Sequence, residues 1–358
     1  MKQLMAILGI LAALIFLSGC QEGDTGSYSE MLLSGGGVYT DWSGLTAYEP
    51  EPARYTRFPG ACGPLSARGD YGPLLPYVGA EMAVEGYIVD TLPLYGLVTK
   101  DGQVVTDPIY SGAYSIGSFL LLETGELGGG EEQFSYTAAA KDGRWVRQAG
   151  LCDGFFLLDN SHLVLAKLDG GVLVLDDQGD TAAEFHREQF VEYLGEDYFW
   201  NWDGGPDLRS VGGGVLAVWE YDPSSADYAR YPCCLDTRTG EVLDALPADW
   251  APESAEPYTQ TPDFPGYLYA EPVSDLITGE LSYIAFPERQ AGADNPVYDL
   301  MDENGNLVLS GCFSLSGLMW QPYLADGLLG TIQDGAFTYR DLSTGEAVFR
   351  YPLRTNSD

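Results

Sequence analysis

The densest run of residues able to do binding chemistry is Tyr193 to Asp203, YLGEDYFWNWD. Tyr198, Trp200 and Trp202 share parity, so in a strand they share one face. With Asp197, Asn201 and Asp203 beside them, such a row would stack on sugar rings and hydrogen-bond their hydroxyls. The same rings would serve equally to fill space between packed sheets, and the sequence leaves both uses open. Tyr198, Trp200, Trp202 and Asp203 are therefore the candidate ligand-binding residues. Catalytic patterns are scarce. The sequence holds no Gly-x-Ser-x-Gly, His-Glu-x-x-His, phosphate-binding Gly-rich loop or strand-linked dinucleotide fingerprint. Its two histidines, His162 at an expected strand start and His186 after Phe185, leave little for base catalysis or metal ligation. Paired-carboxylate glycoside chemistry stays open, but with 53 acids neighbours such as Glu131-Glu132 arise by chance. Calcium is the natural cation for such a chain, yet Asp302-Glu303-Asn304-Gly305-Asn306 lacks the third oxygen ligand of a calcium loop. No metal site, cofactor or catalytic residue is assigned.

The whole chain of 358 residues carries 17 Lys plus Arg against 53 Asp plus Glu, a formal charge of −36. That balance excludes nucleic acid as a partner, because such binding rests on cations neutralising phosphates. It also disfavours electrostatic docking on anionic lipid. A hydrophobic fraction of 45% is that of a folded protein. Its 45 Gly, 21 Pro and 24 Tyr, with few Lys, argue against a helical bundle.

The beginning of the chain supplies an address. Met1-Lys2-Gln3 is followed by an uncharged apolar run from Leu4 to Leu17, then Ser18-Gly19-Cys20. The run is too short to span a bilayer and ends in small residues, as a signal peptide does. Leu17-Ser18-Gly19-Cys20 resembles the lipobox of bacterial lipoproteins. The resemblance implies cleavage before Cys20 and lipidation of that residue, hence a chain anchored through lipid on the extracytoplasmic side of the cell membrane. Gln21 to Glu30 is polar, acidic and Gly/Ser-rich, the composition of a flexible tether.

Five further cysteines follow, Cys62, Cys152, Cys233, Cys234 and Cys312. An extracytoplasmic chain can keep disulfides, but an odd number leaves at least one thiol over, and the spacing fits no zinc pattern. Cys233 and Cys234 are expected in one strand, pointing to opposite faces, rather than joined to each other.

What must position all these residues is a series of hairpins. Short runs of β-formers such as Val172 to Leu175, Val215 to Trp219 and Leu307 to Leu309 alternate with turn residues. One short helix is expected over Ala182 to Leu194. The pattern Asp-x-x-Thr-Gly-Glu occurs at 236–241, 275–280 and 341–346, with looser versions ending in Gly102, Gly143, Gly179 and Gly305. In such turns Asp bonds the turn's own amides and Gly takes the positive φ that closes the hairpin. Successive turn glycines lie 41, 36, 61, 39, 26 and 40 residues apart. Spacings near 40 match a four-stranded propeller blade. The interval of 61 is expected to hold an insertion, with Ser210 to Pro232 the candidate, and the 26 breaks the pattern.

Two resemblances point the same way. Tyr95-Gly96 through Gly102 to Pro108-Ile109-Tyr110 resembles a WG-type repeat, with Tyr95 in place of the usual Trp, and Gly327-Leu328-Leu329 with Phe337 to Val348 resembles a worn second copy. The Asp-x-x-Thr-Gly-Glu turns are similar to those of quinoprotein-like propellers, without the Trp that usually follows. Both imply a repeated β architecture and neither implies an activity.

The expectation is thus an all-β chain: a lipoprotein signal peptide at 1–19, a lipidated tether at 20–30, and a β-propeller-like repeat domain of about seven four-stranded blades over 31–358. Its expected function is that of a membrane-anchored extracytoplasmic scaffold that binds a protein or other ligand without catalysis. The alternative is a glycan-binding or glycan-cleaving protein using an aromatic platform and paired carboxylates.

Overall fold

A computed structural model describes residues 63–353, except 68, 84–90, 129–130, 195–204, 223, 225–228, 247–263, 292, 294–295, 315–318 and 320. Cys20, Cys62, Tyr198, Trp200, Trp202 and Asp203 lie outside the described residues, as do the signal-peptide and tether segments.

The described chain is all-β, a series of antiparallel sheets in which sequential strands are spatial neighbours. The first sheet holds β1 (Leu74–Ala83), β2 (Thr91–Thr99) and β3 (Val104–Tyr110). Next come β4 (Gly112–Ile116), β5 (Phe119–Gly128), β6 (Glu131–Ala140), β7 (Val146–Asp159), β8 (His162–Lys167), β9 (Val172–Asp176) and β10 (Thr181–Phe185), joined as seven neighbours. This run is two blades sharing a strand. Val146 to Leu151 of β7 pair with β6, whereas Cys152 to Asp159 pair with β8. Three four-stranded sheets complete the series: β11 (Leu208–Ser210) to β14 (Glu241–Leu243) through β12 (Val215–Tyr221) and β13 (Ala229–Asp236); β15 (Tyr267–Ser274), β16 (Leu281–Pro287), β17 (Val297–Asp302) and β18 (Leu307–Ser314); and β19 (Tyr323–Ala325), β20 (Leu328–Gln333), β21 (Ala336–Asp341) and β22 (Ala347–Pro352). The described residues therefore form six blades, the first with three strands.

Period-2 alternation sends each sheet's two faces into different cores. Leu163 and Leu165 of the third blade pack with Phe119 and Leu121 of the second. Val164, between them, packs with Leu216 and Val218 of the fourth. Blade therefore stacks on blade, and the series returns on itself. Leu75, Tyr77 and Val98 of the first blade share a core with Phe337, Phe349 and Tyr351 of the sixth. The Tyr339 hydroxyl donates to the Pro76 carbonyl at 2.7 Å, and Lys100 pairs with Asp326 across the same junction. This is the architecture of a β-propeller.

The hairpin expectation holds at each of the seven turn glycines, whose φ lies between 72° and 90°. Asp236 accepts from the Arg238 amide at 2.9 Å, Asp275 from the Ile277 and Thr278 amides at 2.8 Å, and Asp341 from the Ser343 amide at 2.8 Å. The threonine of the motif has its own task. Thr239, Thr278 and Thr344 each accept the amide of the following Glu, at 3.2–3.3 Å. Glu and Gly are thus fixed in place by a side chain on each flank of the turn.

Two expectations need correction. The helix expected over Ala182 to Leu194 is β10 for its first part, since Ala183 and Phe185 alternate into the core beside β9. Only α1 (Arg187–Phe190) and one 3₁₀ turn at Val191–Tyr193 are helical. The insertion in the 61-residue interval is not Ser210 to Pro232, which holds β12 and its regular hairpin with β13. The extra length is the connection between Phe185 and Leu208. The 26-residue interval arises because Gly279 closes β15–β16, the first hairpin of its blade, whereas the other turn glycines close the last hairpin. The paired cysteines behave as expected. Cys233 and Cys234 are adjacent in β13, both are free thiols, and they enter cores on opposite faces.

Candidate functional site at the propeller axis

The first strands of the second and third blades differ from the central strands beside them. Residues 113–116 of β4 and 153–158 of β7 are all partly exposed, whereas the central strands β5 and β8 are largely buried. A strand exposed in this way, at the inner edge of its sheet, lines the axis around which the blades are arranged.

A carboxylate sits at this lining. Glu123 of β5 follows Phe119 and Leu121 at the same parity, so the backbone aims it at the core side. It is 7% exposed. It accepts hydrogen bonds from the Tyr136 hydroxyl at 2.7 Å, Ser111 at 2.9 Å and Tyr114 at 3.2 Å. Phe155 of the third blade packs on both tyrosines, with ring centroids 5.0 Å from Tyr114 and 5.5 Å from Tyr136. Two more phenols arrive from elsewhere in the ring. Tyr95 of the first blade and Tyr323 of the sixth are hydrogen-bonded to each other, and Tyr95 feels the Glu123 charge. Burial pushes the Tyr95 hydroxyl up to about 12 and the Tyr323 hydroxyl well above its usual value. Tyr95, Tyr114, Phe155 and Tyr323 nevertheless keep partial solvent exposure.

One end of the axis is bridged. The turn after β15 reaches from the fifth blade to the second, where the Leu276 carbonyl accepts from Lys141 Nζ at 3.0 Å and Ser115 Oγ at 3.3 Å. Burial lowers the Lys141 pKa, opposed by the Asp275 charge. Leu276 also donates its amide to the Leu324 carbonyl at 2.8 Å, next to Tyr323.

Burial raises the Glu123 carboxyl above its ordinary 4.5, against the pull of its three hydroxyl donors. The folded chain thus keeps a proton where the unfolded chain has lost it. By linkage, Glu123 costs stability increasingly as pH rises from 4.5 through its raised folded value. Glu123→Gln cannot titrate. Its Tm relative to the wild-type chain, followed by calorimetry, should therefore climb as pH rises above 4.5; a flat difference would contradict the burial account.

Of the residues singled out from the sequence, Tyr95 of the WG-type pattern belongs to this cluster. Tyr198, Trp200, Trp202 and Asp203 fall in the connection between β10 and β11, outside the described residues. His162 opens β8 and holds Asp159 at 2.9 Å, and His186 precedes α1. Among the described residues, no group of three or more His, Cys, Asp and Glu side chains converges on a point. The signal available in the sequence was an acid at a core-parity position, directly after Phe119-Leu120-Leu121-Leu122.

No protein-family model and no curated protein sequence matches the chain. Among solved structures, the chain is similar to the β-propeller domain of the Trilobed protease from Pyrococcus furiosus, at 10% identity over 80% of this chain and 84% of that one, with a TM-score of 0.27. It is similar to BamB from Moraxella catarrhalis at 10% identity over 88% and 87%, TM-score 0.23. It is also similar to the computationally designed Ika8 protein at 10% identity over 81% and 92%, TM-score 0.23.

Proposed function

We propose that the chain is an extracytoplasmic lipoprotein, anchored through Cys20, whose propeller-like domain is a binding scaffold without catalysis. The observation that carries the binding reading is the aromatic cluster drawn from four blades, where Tyr95, Tyr114, Phe155 and Tyr323 stand partly exposed and Tyr114 donates to Glu123. Aromatic faces supply contact area, while the hydroxyls and carboxylate fix orientation, as small-ligand sites require. A bridged end leaves a ligand to enter from the opposite face. The anchoring reading rests on Leu17-Ser18-Gly19-Cys20.

A second reading keeps the site and changes the ligand. Tyr and Phe rings beside a hydrogen-bonded carboxylate suit sugars, which makes a glycan the alternative ligand class.

Cys20→Ala should move the protein from the membrane fraction to the soluble extracytoplasmic fraction, and continued membrane retention would sink the anchoring reading. Tyr114→Ala should abolish binding of any ligand found by screening glycans and small peptides. Turnover of a glycan with a bell-shaped pH profile would overturn the claim that the domain only binds.

A further inference from the structure

The fifth blade ends in an edge that is chemically unlike the others. In β18, Leu307, Val308 and Leu309 are 54%, 48% and 37% exposed. Large aliphatic residues in succession at a sheet edge are what folded proteins ordinarily avoid, because unpaired amides and carbonyls there template a further strand. Among the described residues, β18 pairs only with β17. Leu309 stands opposite Leu300 and Leu307 opposite Met301, and the register slips between these pairs at Val308.

Beside the edge lies a cleft of about 150 Å³ between the fifth and sixth blades. Leu300, Val308, Leu328 and Leu342 supply its apolar lining, and Asp275 and Glu280 its charge. Asp302 and Glu303 sit at the turn where β18 begins. The rim at the cleft and at the start of β18 is thus acidic, while Arg289, paired with Asp299, stands at Ser310 beyond Leu309. A second copy of this chain would bring the same acidic rim and another −36 formal charge to the contact, which disfavours edge-to-edge pairing of two copies. The complementary occupant is an extended segment with aliphatic side chains on the strand and Lys or Arg at the rim.

We propose that the β18 edge and its neighbouring cleft dock an extended, basic, aliphatic segment of a partner protein by strand addition. Main-chain hydrogen bonds along residues 307–309 hold the strand, an aliphatic side chain enters the cleft beside Val308, and a cation meets Glu280. The cleft adjoins the bridged end of the axis through Asp275 and Leu324, but none of the clustered aromatic residues lines it.

The probe is a blocked hexapeptide alternating valine and lysine, compared with one alternating valine and glutamate. By fluorescence anisotropy the lysine peptide should bind at least about tenfold more tightly, and its binding should slow hydrogen exchange at residues 307–309. Glu280→Gln should narrow the preference. Val308→Pro should weaken binding at least about tenfold, since proline obstructs a ladder; if that variant fails to fold, Leu309→Lys makes the same test at an exposed side chain. Equal affinity for both peptides, or no protection of residues 307–309, overturns the proposal. So does a concentration-dependent dimer, seen by sedimentation and abolished by Leu309→Lys, which would make a second copy the occupant.

Discussion

Replacing Tyr77 by alanine should cost the fold about 4 kcal/mol, read as a lower urea midpoint, because it removes a fully buried ring from the junction that closes the propeller. The Tyr77 ring lies 4.6 Å from Tyr351, 5.1 Å from Phe349 and 6.5 Å from Phe337, centroid to centroid. Those three rings belong to the last blade and Tyr77 to the first. Its hydroxyl also donates to the Thr106 carbonyl at 2.9 Å, within its own blade. Tyr77→Phe keeps the ring and removes the hydroxyl that makes that bond, so it should cost about 1 kcal/mol. The contrast separates closure of the ring from local hydrogen bonding. Hydrogen exchange adds a spatial readout. In Tyr77→Ala, protection should fall together in β1, β21 and β22, while β8 and β9 on the other side of the ring change less. A uniform loss across all blades would mean that the junction is no weaker than the rest of the structure.

The surroundings of Tyr77 also explain a glycine that sequence reasoning noticed for another reason. A side chain at Gly96 would place its first carbon 2.4 Å from the Tyr77 ring. Gly96 therefore clears the space that the closing aromatic occupies. The aromatic-Gly pair at Tyr95-Gly96 was visible as a pattern, but its partner lies on β1, which no local pattern reveals.

The same distinction runs through the molecule. Features governed by a few neighbouring residues were legible. Asp, Thr and Gly at the hairpins act within the turn itself, so spacing alone located the turns and their backbone conformation. Parity alone placed Cys233 and Cys234 in separate cores. Features decided by distant contacts were not legible. Ala182 to Phe185 lie in a strand because β9 offers a partner and a core for Phe185, and this outweighs local helical preference. The axial cluster is more remote still. Tyr95, Tyr114, Phe155 and Tyr323 come from four blades, and only ring closure brings the first blade to the sixth. Nothing in the residues around Tyr323 marks it as a neighbour of Tyr95.

Asp299→Ala is expected to be the other severe substitution, at about 3 kcal/mol. Asp299 is 0% exposed and sits where the β17–β18 register slips. Its carboxylate accepts from the Gly311 amide at 2.7 Å, Arg289 Nη2 at 2.8 Å, and the Ser310 and Tyr267 hydroxyls at 3.0 Å each. The Arg289 side chain is 56% exposed, so the ion pair by itself contributes little in the presence of water and salt. The larger loss comes from the Gly311 amide and the Tyr267 hydroxyl, which lose their acceptor. Arg289→Ala should accordingly be far milder than Asp299→Ala. Burial alone would raise the Asp299 carboxyl, but the Gly311 amide, Arg289, Ser310 and Tyr267 together hold it below its ordinary 3.8. A depressed carboxyl stabilises the fold above its unfolded pKa and loses that contribution as pH falls through the folded value. The gap between wild type and Asp299→Ala should therefore be full at neutral pH and shrink below about pH 4. A gap that persists unchanged in acid would place the loss in packing rather than in the carboxylate. The residues this carboxylate holds, Ser310 and Gly311, directly follow the exposed Leu307 to Leu309 run. Loss of Asp299 should thus also loosen the β18 edge, seen as faster exchange at residues 307–311 before the rest of the blade opens.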